Sequence, residues 1–212
     1  QHHPLQHHPA DHGGGVYIGA RKGLFSRNLI SNNAIANSWG WGGGMIVDGG
    51  VYAGFSDAVC LVLSHNTYTG NHAPSMGGGL YIDEGANVRL YNELIVKNTT
   101  GDATRNGGLY VDGPRANGSA KTLMENCTIA ANTGSWGSAG HAIVVEGGSE
   151  VAAKNCIFWN NSTGASTNDF YVADSTLTID YSLYHTGYTL EGRGSITVNN
   201  SLTPDPLFAE ST

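Results

Sequence analysis

Apolar and polar residues in this chain alternate over runs of three to five positions, and no apolar stripe recurs at helical spacing. The runs return at a regular interval. "MGGGLYIDEG" at residues 76–85 shows the form: glycines, an apolar residue, a second residue, another apolar residue and an acid. Variants are "GGGVYIG" from Gly13, "GGGMIVD" from Gly42, "NGGLYVD" from Asn106, "GHAIVVE" from Gly140 and a degenerate "TNDFYVAD" from Thr167. Counted from residues 13, 42, 77, 106, 140 and 167, the intervals are 29, 35, 29, 34 and 27 residues. Periods of this length mark a solenoid or a propeller.

In every copy the fourth residue is apolar (Val16, Met45, Leu80, Leu109, Ile143, Phe170), and so is the sixth (Ile18, Val47, Ile82, Val111, Val145, Val172). Side chains alternate across a strand, so these two positions share one face and are predicted to point inward. A second strand is predicted from the column Phe25, Leu63, Leu90, Met124 and Ala153. "RNLISNN", "HNTYTGN", "NELIVKN", "NCTIAAN" and "NCIFWNN" supply a third, aligning Ile30, Tyr68, Ile95, Ile129 and Phe158. Three residues further on, Asn33, Asn71, Asn98, Asn132 and Asn161 fall in one column. Three short strands per repeat predict a coil of parallel strands with six or seven rungs, a single domain over 13–212 behind a separate segment at 1–12.

Gly-Gly followed by paired apolar or aromatic residues, with "IAAN" at Ile129 and "FWNN" at Phe158, resembles the repeat of right-handed parallel β-helix proteins, especially polymorphic outer-membrane-type surface proteins. "DPLFAE" at Asp205 is similar to a segment that closes such regions. The resemblance covers roughly residues 13–208 and implies an all-β, right-handed parallel β-helix. It says little about activity, because that coil carries adhesins, lyases, hydrolases and epimerases.

The asparagines are expected at sharp turns, where Asn tolerates the left-handed conformation, with stacked amides hydrogen-bonding along the axis. Asn92, Asn126 and Asn155, with Arg27 and His65 as irregular members, are expected to form another such column. Asn98, Asn117, Asn126, Asn160, Asn161 and Asn199 fit the glycosylation triplet, a pattern that an Asn-, Ser- and Thr-rich chain produces freely.

With Leu80 and Ile82 inside, Tyr81 and Asp83 point out, and their equivalents are Tyr17, Asp48, Tyr110, Asp112, Glu146 and Tyr171. One outer face is therefore predicted to carry an exposed tyrosine stripe beside a column of four acids, Asp48, Asp83, Asp112 and Glu146. On this register Leu109→Ala should cost far more stability than Tyr110→Ala. Carboxylates one rung apart repel unless screened, protonated or bridged by a cation. The column is thus a candidate calcium site or catalytic pair, and the tyrosines are candidates for stacking on glycan rings. Against both stands an exposed turn edge with Tyr chosen for β propensity. A glycoside hydrolase or polysaccharide lyase would work through acids such as Asp83 and Asp112, with Arg89, Arg115 and Lys121 the nearest cations for a lyase. No lyase signature and no paired-Asp hydrolase motif is present, so the enzyme ranks second to a non-catalytic structural or adhesive module.

Composition narrows the rest. Lys and Arg number 10 against 17 acids, which excludes a basic nucleic-acid footprint, and no apolar stretch is long enough to form a transmembrane helix. Gln rather than Met at position 1 implies a processed or trimmed chain, and an extracellular or cell-surface location is expected. Cys127 and Cys156 share a repeat column, as a buried thiol stack or as a disulfide, and Cys60 is left over. "QHHPLQHHPADH" puts His2, His3, His7, His8 and His12 in the first twelve residues, candidate Zn or Cu ligands or a low-complexity linker. That segment is expected to fold over the first rung or to dock on a neighbouring subunit, giving a homo-oligomer or end-to-end assembly, while Pro204 and Pro206 blunt the other end. His141 is expected in the core and His72 and His185 in turns. Trp39, Trp41 and Trp136 are placed either at the border of the tyrosine face or over the coil's edge.

Overall fold

The structure is a computed structural model that describes residues 12–19, 22–37, 39–49, 61–101, 107–113, 120–134, 142–161, 168–185 and 187–206. All elements among them are strands, and all pairings are parallel. Among the described residues no helix is long and apolar enough to cross a membrane. The first sheet stacks Val16–Ile18, Met45–Asp48, Leu80–Asp83, Leu109–Asp112, Ile143–Glu146, Phe170–Ala173 and Tyr188–Glu191, so the described residues form seven rungs. A second seven-stranded sheet runs from Gly23–Ser26 to Ser195–Asn199, and a third of six strands from Leu29–Ser31 to Leu183–Tyr184. His72–Ala73, Thr99–Thr100 and Thr133–Gly134 add a short fourth sheet beyond the three strands per repeat read from the sequence.

Register follows the sequence columns. Leu80 pairs with Met45 and Leu109, Leu90 with Leu63 and Met124, and Ile95 with Tyr68 and Ile129. Leu80, Ile82, Leu109, Val111, Ile143 and Val145 are fully buried inside the coil, as alternation requires. On the opposite face of the first sheet lies a second buried cluster of Ile46, Tyr81, Tyr110, Val144, Tyr171 and Ala173, with Trp41 and Met76 packed against it. The inward columns surface at the two ends of the coil: Val16 and Ile18 are half-buried in the first rung, and Tyr188 and Leu190 are exposed in the last.

The glycines before the first-sheet strands are explained by the asparagine column. Asn33, Asn71, Asn98 and Asn132 each donate from Nδ2 to the Oδ1 of the asparagine one rung on, at 2.9–3.0 Å, the last of them to Asn161. The Asn98 amide also donates to Tyr68 O at 2.9 Å, so it is satisfied within the buried column. These amides lie against the backbone of the next strand's approach. A Cβ at Gly79 would stand 2.8 Å from Asn98 Nδ2 and 2.7 Å from Ile95 Cγ2, and one at Gly108 would stand 2.6 Å from Asn132 Nδ2.

Two details differ from the sequence reading. The ladder asparagines are not the left-handed residues; that conformation falls one position earlier, at Asn32, Gly70, Lys97, Ala131 and Asn160. Asn92, Asn126 and Asn155 are left-handed, with Arg27 and His65, but they form no amide ladder. Their column turns outward, and the polar stack passes to the next residue, where Asn28 Nδ2 donates to Asn66 Oδ1 at 2.9 Å. A residue that must turn the chain cannot also aim its amide down the axis. Cys127 and Cys156 lie in this inner stack as buried free thiols.

Burial of the tyrosine face revises one energetic expectation. Leu109→Ala and Tyr110→Ala should each cost ~2–5 kcal/mol in urea unfolding, because both remove a large side chain from a closed cluster. Leu123→Ala, on the exposed face of the second sheet, should stay within ~0.5 kcal/mol.

Candidate functional site

The first-sheet strands place Tyr17, Ile46, Tyr81, Tyr110, Val144, Tyr171 and Thr189 in one outward column. Two residues on lies a second outward column, with Asp48, Asp83, Asp112, Glu146, Ala173 and Glu191 in successive rungs. Each tyrosine hydroxyl reaches diagonally to the acid of the following rung: Tyr17 to Asp48, Tyr81 to Asp112 at 3.4 Å, Tyr110 to Glu146 and Tyr171 to Glu191. Where Val144 supplies no hydroxyl, the following rung has Ala173 and no acid. Asp83 breaks the rule, because the residue that would donate to it is Ile46.

The expected exposed stripe is therefore present on the expected face but closed. Tyr81 and Tyr110 are 1% exposed, while Tyr17, on the first rung, keeps 37%. Their rings stack along the coil axis instead of lying open. His12 stacks on Trp41 at 4.5 Å, Trp41 on Tyr81 at 5.4 Å and Tyr81 on Tyr110 at 5.1 Å, with Trp39 edge-on to His12. His12 Nδ1 accepts from the Trp41 N–H at 3.3 Å. Trp41 thus borders the tyrosine face, as one sequence reading had it. Burial raises the Tyr81 phenol, with the Asp83 and Asp112 charges adding to it, and holds it as a donor.

Hydroxyl donors and a retained proton relieve like-charge repulsion in the acid column. Tyrosine hydroxyls serve Asp48, Asp112 and Glu146, and Asp83 is pushed up to about 8 by burial and the Asp112 charge, against one favourable bond from the Glu84 N–H at 2.7 Å. Asp83 is protonated at neutral pH. Among the described residues no group of three or more His, Cys, Asp and Glu is arranged to hold a metal ion. His2, His3, His7 and His8 lie outside the described residues, as do His141, Trp136, Arg115 and Cys60. His12 is 2% exposed at the end of the aromatic stack.

Over this face lies a groove of about 690 Å³. Trp41, Met76, Tyr81 and Tyr110 line it together with Asp112, Glu146, Asp174, Glu191 and Arg193. It gathers four of the sequence candidates, Tyr81, Tyr110, Asp112 and Glu146, and leaves Asp83 out of its lining. Arg89 and Lys121 sit in the second sheet, away from the acids. Asp174, Glu191 and Arg193 were missed. "YTLE" at 188–191 is a seventh copy of the strand, but only Gly187 precedes it, so the glycine signal is lost. His72 belongs to a short strand rather than a turn, with Nδ1 2.9 Å from Thr99 Oγ1.

The family model described as a right-handed β-helix region matches residues 7–202. The chain belongs to that family. No curated protein and no solved structure matches it in addition. Membership makes the parallel coil a right-handed β-helix, and the groove lies along the outer side of one of its sheets.

Two further buried acids share the behaviour of Asp83. Burial pushes Glu93 and Asp169 up to about 7, opposed by the Asn66 N–H on Glu93 at 3.1 Å and the His185 N–H on Asp169 at 2.8 Å. Unfolded carboxyls titrate near ~4, so from about pH 4 to 8 the unfolded chain has released protons that the fold keeps. Stability from these groups is full below that window and is lost as pH rises through it. The melting temperature should be several degrees higher at pH 5 than at pH 8.5, and Asp83→Asn should flatten the upper part of the profile. A melting temperature that climbs with pH would contradict the assignment.

Proposed function

We propose that this β-helix is a non-catalytic extracellular or cell-surface module, adhesive or structural, whose groove over the first sheet holds a glycan. The observation that carries the reading is the groove itself, which sets Trp41 and the tyrosine stack beside a row of carboxylates held by tyrosine hydroxyls. Pre-aligned acceptors beside the half-buried edge of an aromatic stack suit sugar hydroxyls, which need directional partners. Among the described residues the groove is lined by four carboxylates, Asp112, Glu146, Asp174 and Glu191, and by one guanidinium, Arg193. That balance favours neutral or amine-bearing glycans and works against polyuronates.

A second reading rests on Asp112 and Glu146, which are paired across adjacent rungs and both line the groove. Carboxyls roughly 5–9.5 Å apart serve glycoside hydrolysis, retaining at the short end and inverting at the long end. The two readings separate in one experiment: a glycan array paired with a reducing-end release assay on the glycans bound. Binding without release is expected, weakened at least tenfold by Trp41→Ala and by the Asp174→Asn, Glu191→Gln double variant. Release that disappears in Glu146→Gln would make the protein a hydrolase, and an array without any ligand would count against both.

A further inference from the structure

The inner stack behind the first left-handed turn holds Asn28, Asn66, Glu93, Cys127, Cys156, Ser182 and Ser201 in successive rungs. The backbone N–H groups of its members donate forward along the axis, while Asn66 Nδ2 and the thiols reach back to carbonyls of the preceding rung. Asn28 N donates to Asn66 Oδ1 at 3.0 Å, Asn66 N to Glu93 Oε1 at 3.1 Å, Cys156 N to Ser182 Oγ at 3.0 Å and Ser182 N to Ser201 Oγ at 3.1 Å. Only in the fourth and fifth rungs do two thiols meet. Register pins them from both sides, since Glu125 pairs with Lys154 and Thr128 with Ile157, and Ile157 N donates to Cys127 O at 2.9 Å. Each Sγ faces the carbonyl two residues back, Glu125 O at 3.3 Å and Lys154 O at 3.2 Å, so the two side chains point the same way from adjacent rungs.

We propose that Cys127 and Cys156 form an oxidisable pair that closes into a disulfide between the fourth and fifth rungs. Partners on neighbouring parallel strands stand ~4.8 Å apart, inside the ~4.4–6.8 Å that Cα atoms of a disulfide span. The oxidant is a small disulfide such as oxidised glutathione. One cysteine thiolate attacks it, forming a mixed disulfide and releasing one glutathione thiol. The second cysteine, deprotonated, then displaces the other glutathione, so two S–H bonds and one S–S bond are exchanged for the Cys127–Cys156 bond and two free thiols. Both residues are 1% exposed in the finished coil, so the bond forms as these rungs assemble.

The test uses the full chain with Cys60→Ser, which removes the third thiol. It is unfolded, refolded in a mixture of reduced and oxidised glutathione, alkylated at once, and read by intact mass and peptide mapping. The expected product lacks two hydrogens, takes up no alkyl group and yields a Cys127–Cys156 linked peptide. Adding Cys127→Ser or Cys156→Ser should leave the remaining thiol alkylated. Serine fits this column, since Ser182 and Ser201 already occupy it, so these variants are expected to fold. Two alkylated thiols in the monomer, or a linkage between chains, overturns the proposal.

Discussion

Parallel stacking at one strand spacing makes each rung the only template for the next, and the rest of this molecule follows from that. A side chain that fits must fit its own image ~4.8 Å away. Apolar groups meet the demand by packing, amides by donating and accepting at once, and rings by lying face to face. Charged carboxylates cannot meet it. The acid column persists because each member except Asp83 takes a hydroxyl from the rung before it, and Asp83 keeps its proton.

The same constraint separates the roles of neighbouring residues. Positions that bend the chain, such as Lys97 and Ala131, vary in residue type from rung to rung because no side-chain ladder runs through them, within the limits of a left-handed backbone. Positions just after them accept almost no other side chain, because Asn98 and Asn132 are held on three sides and press against Gly79 and Gly108. Variation and invariance along the repeat thus alternate residue by residue.

Strand columns, inward faces and the asparagine ladder were legible because repetition reports them several times over. Alternation says which side of a sheet Tyr81 and Tyr110 occupy, but not what covers that side, so their burial under Trp41 and against each other was invisible. The hydroxyl-to-acid diagonal lay in the sequence as the coincidence of Tyr17 with Asp48 and of Tyr110 with Glu146, one copy on. It escaped because copies were compared position by position, whereas the bond joins different positions of consecutive copies. Arg193 and Glu191 lie in a repeat whose glycines have gone, and Asn92 misled because one residue type serves both turns and ladders.

The asparagine ladder also has a polarity. Between side chains every Nδ2 donates to the Oδ1 on its C-terminal side, while its second hydrogen goes back to a backbone carbonyl of the rung before, so the amide-to-amide bonds all run one way. Asn161 Nδ2 ends the series on Asp169 Oδ1 at 3.3 Å, where a buried acid stands in place of a further asparagine. A carboxylate has no amide hydrogen to pass on, so it works as a full stop for the series. Rungs grafted ahead of Asn33 would find Asn33 ready to receive them and lengthen the ladder, while rungs grafted behind Asp169 would start a new one.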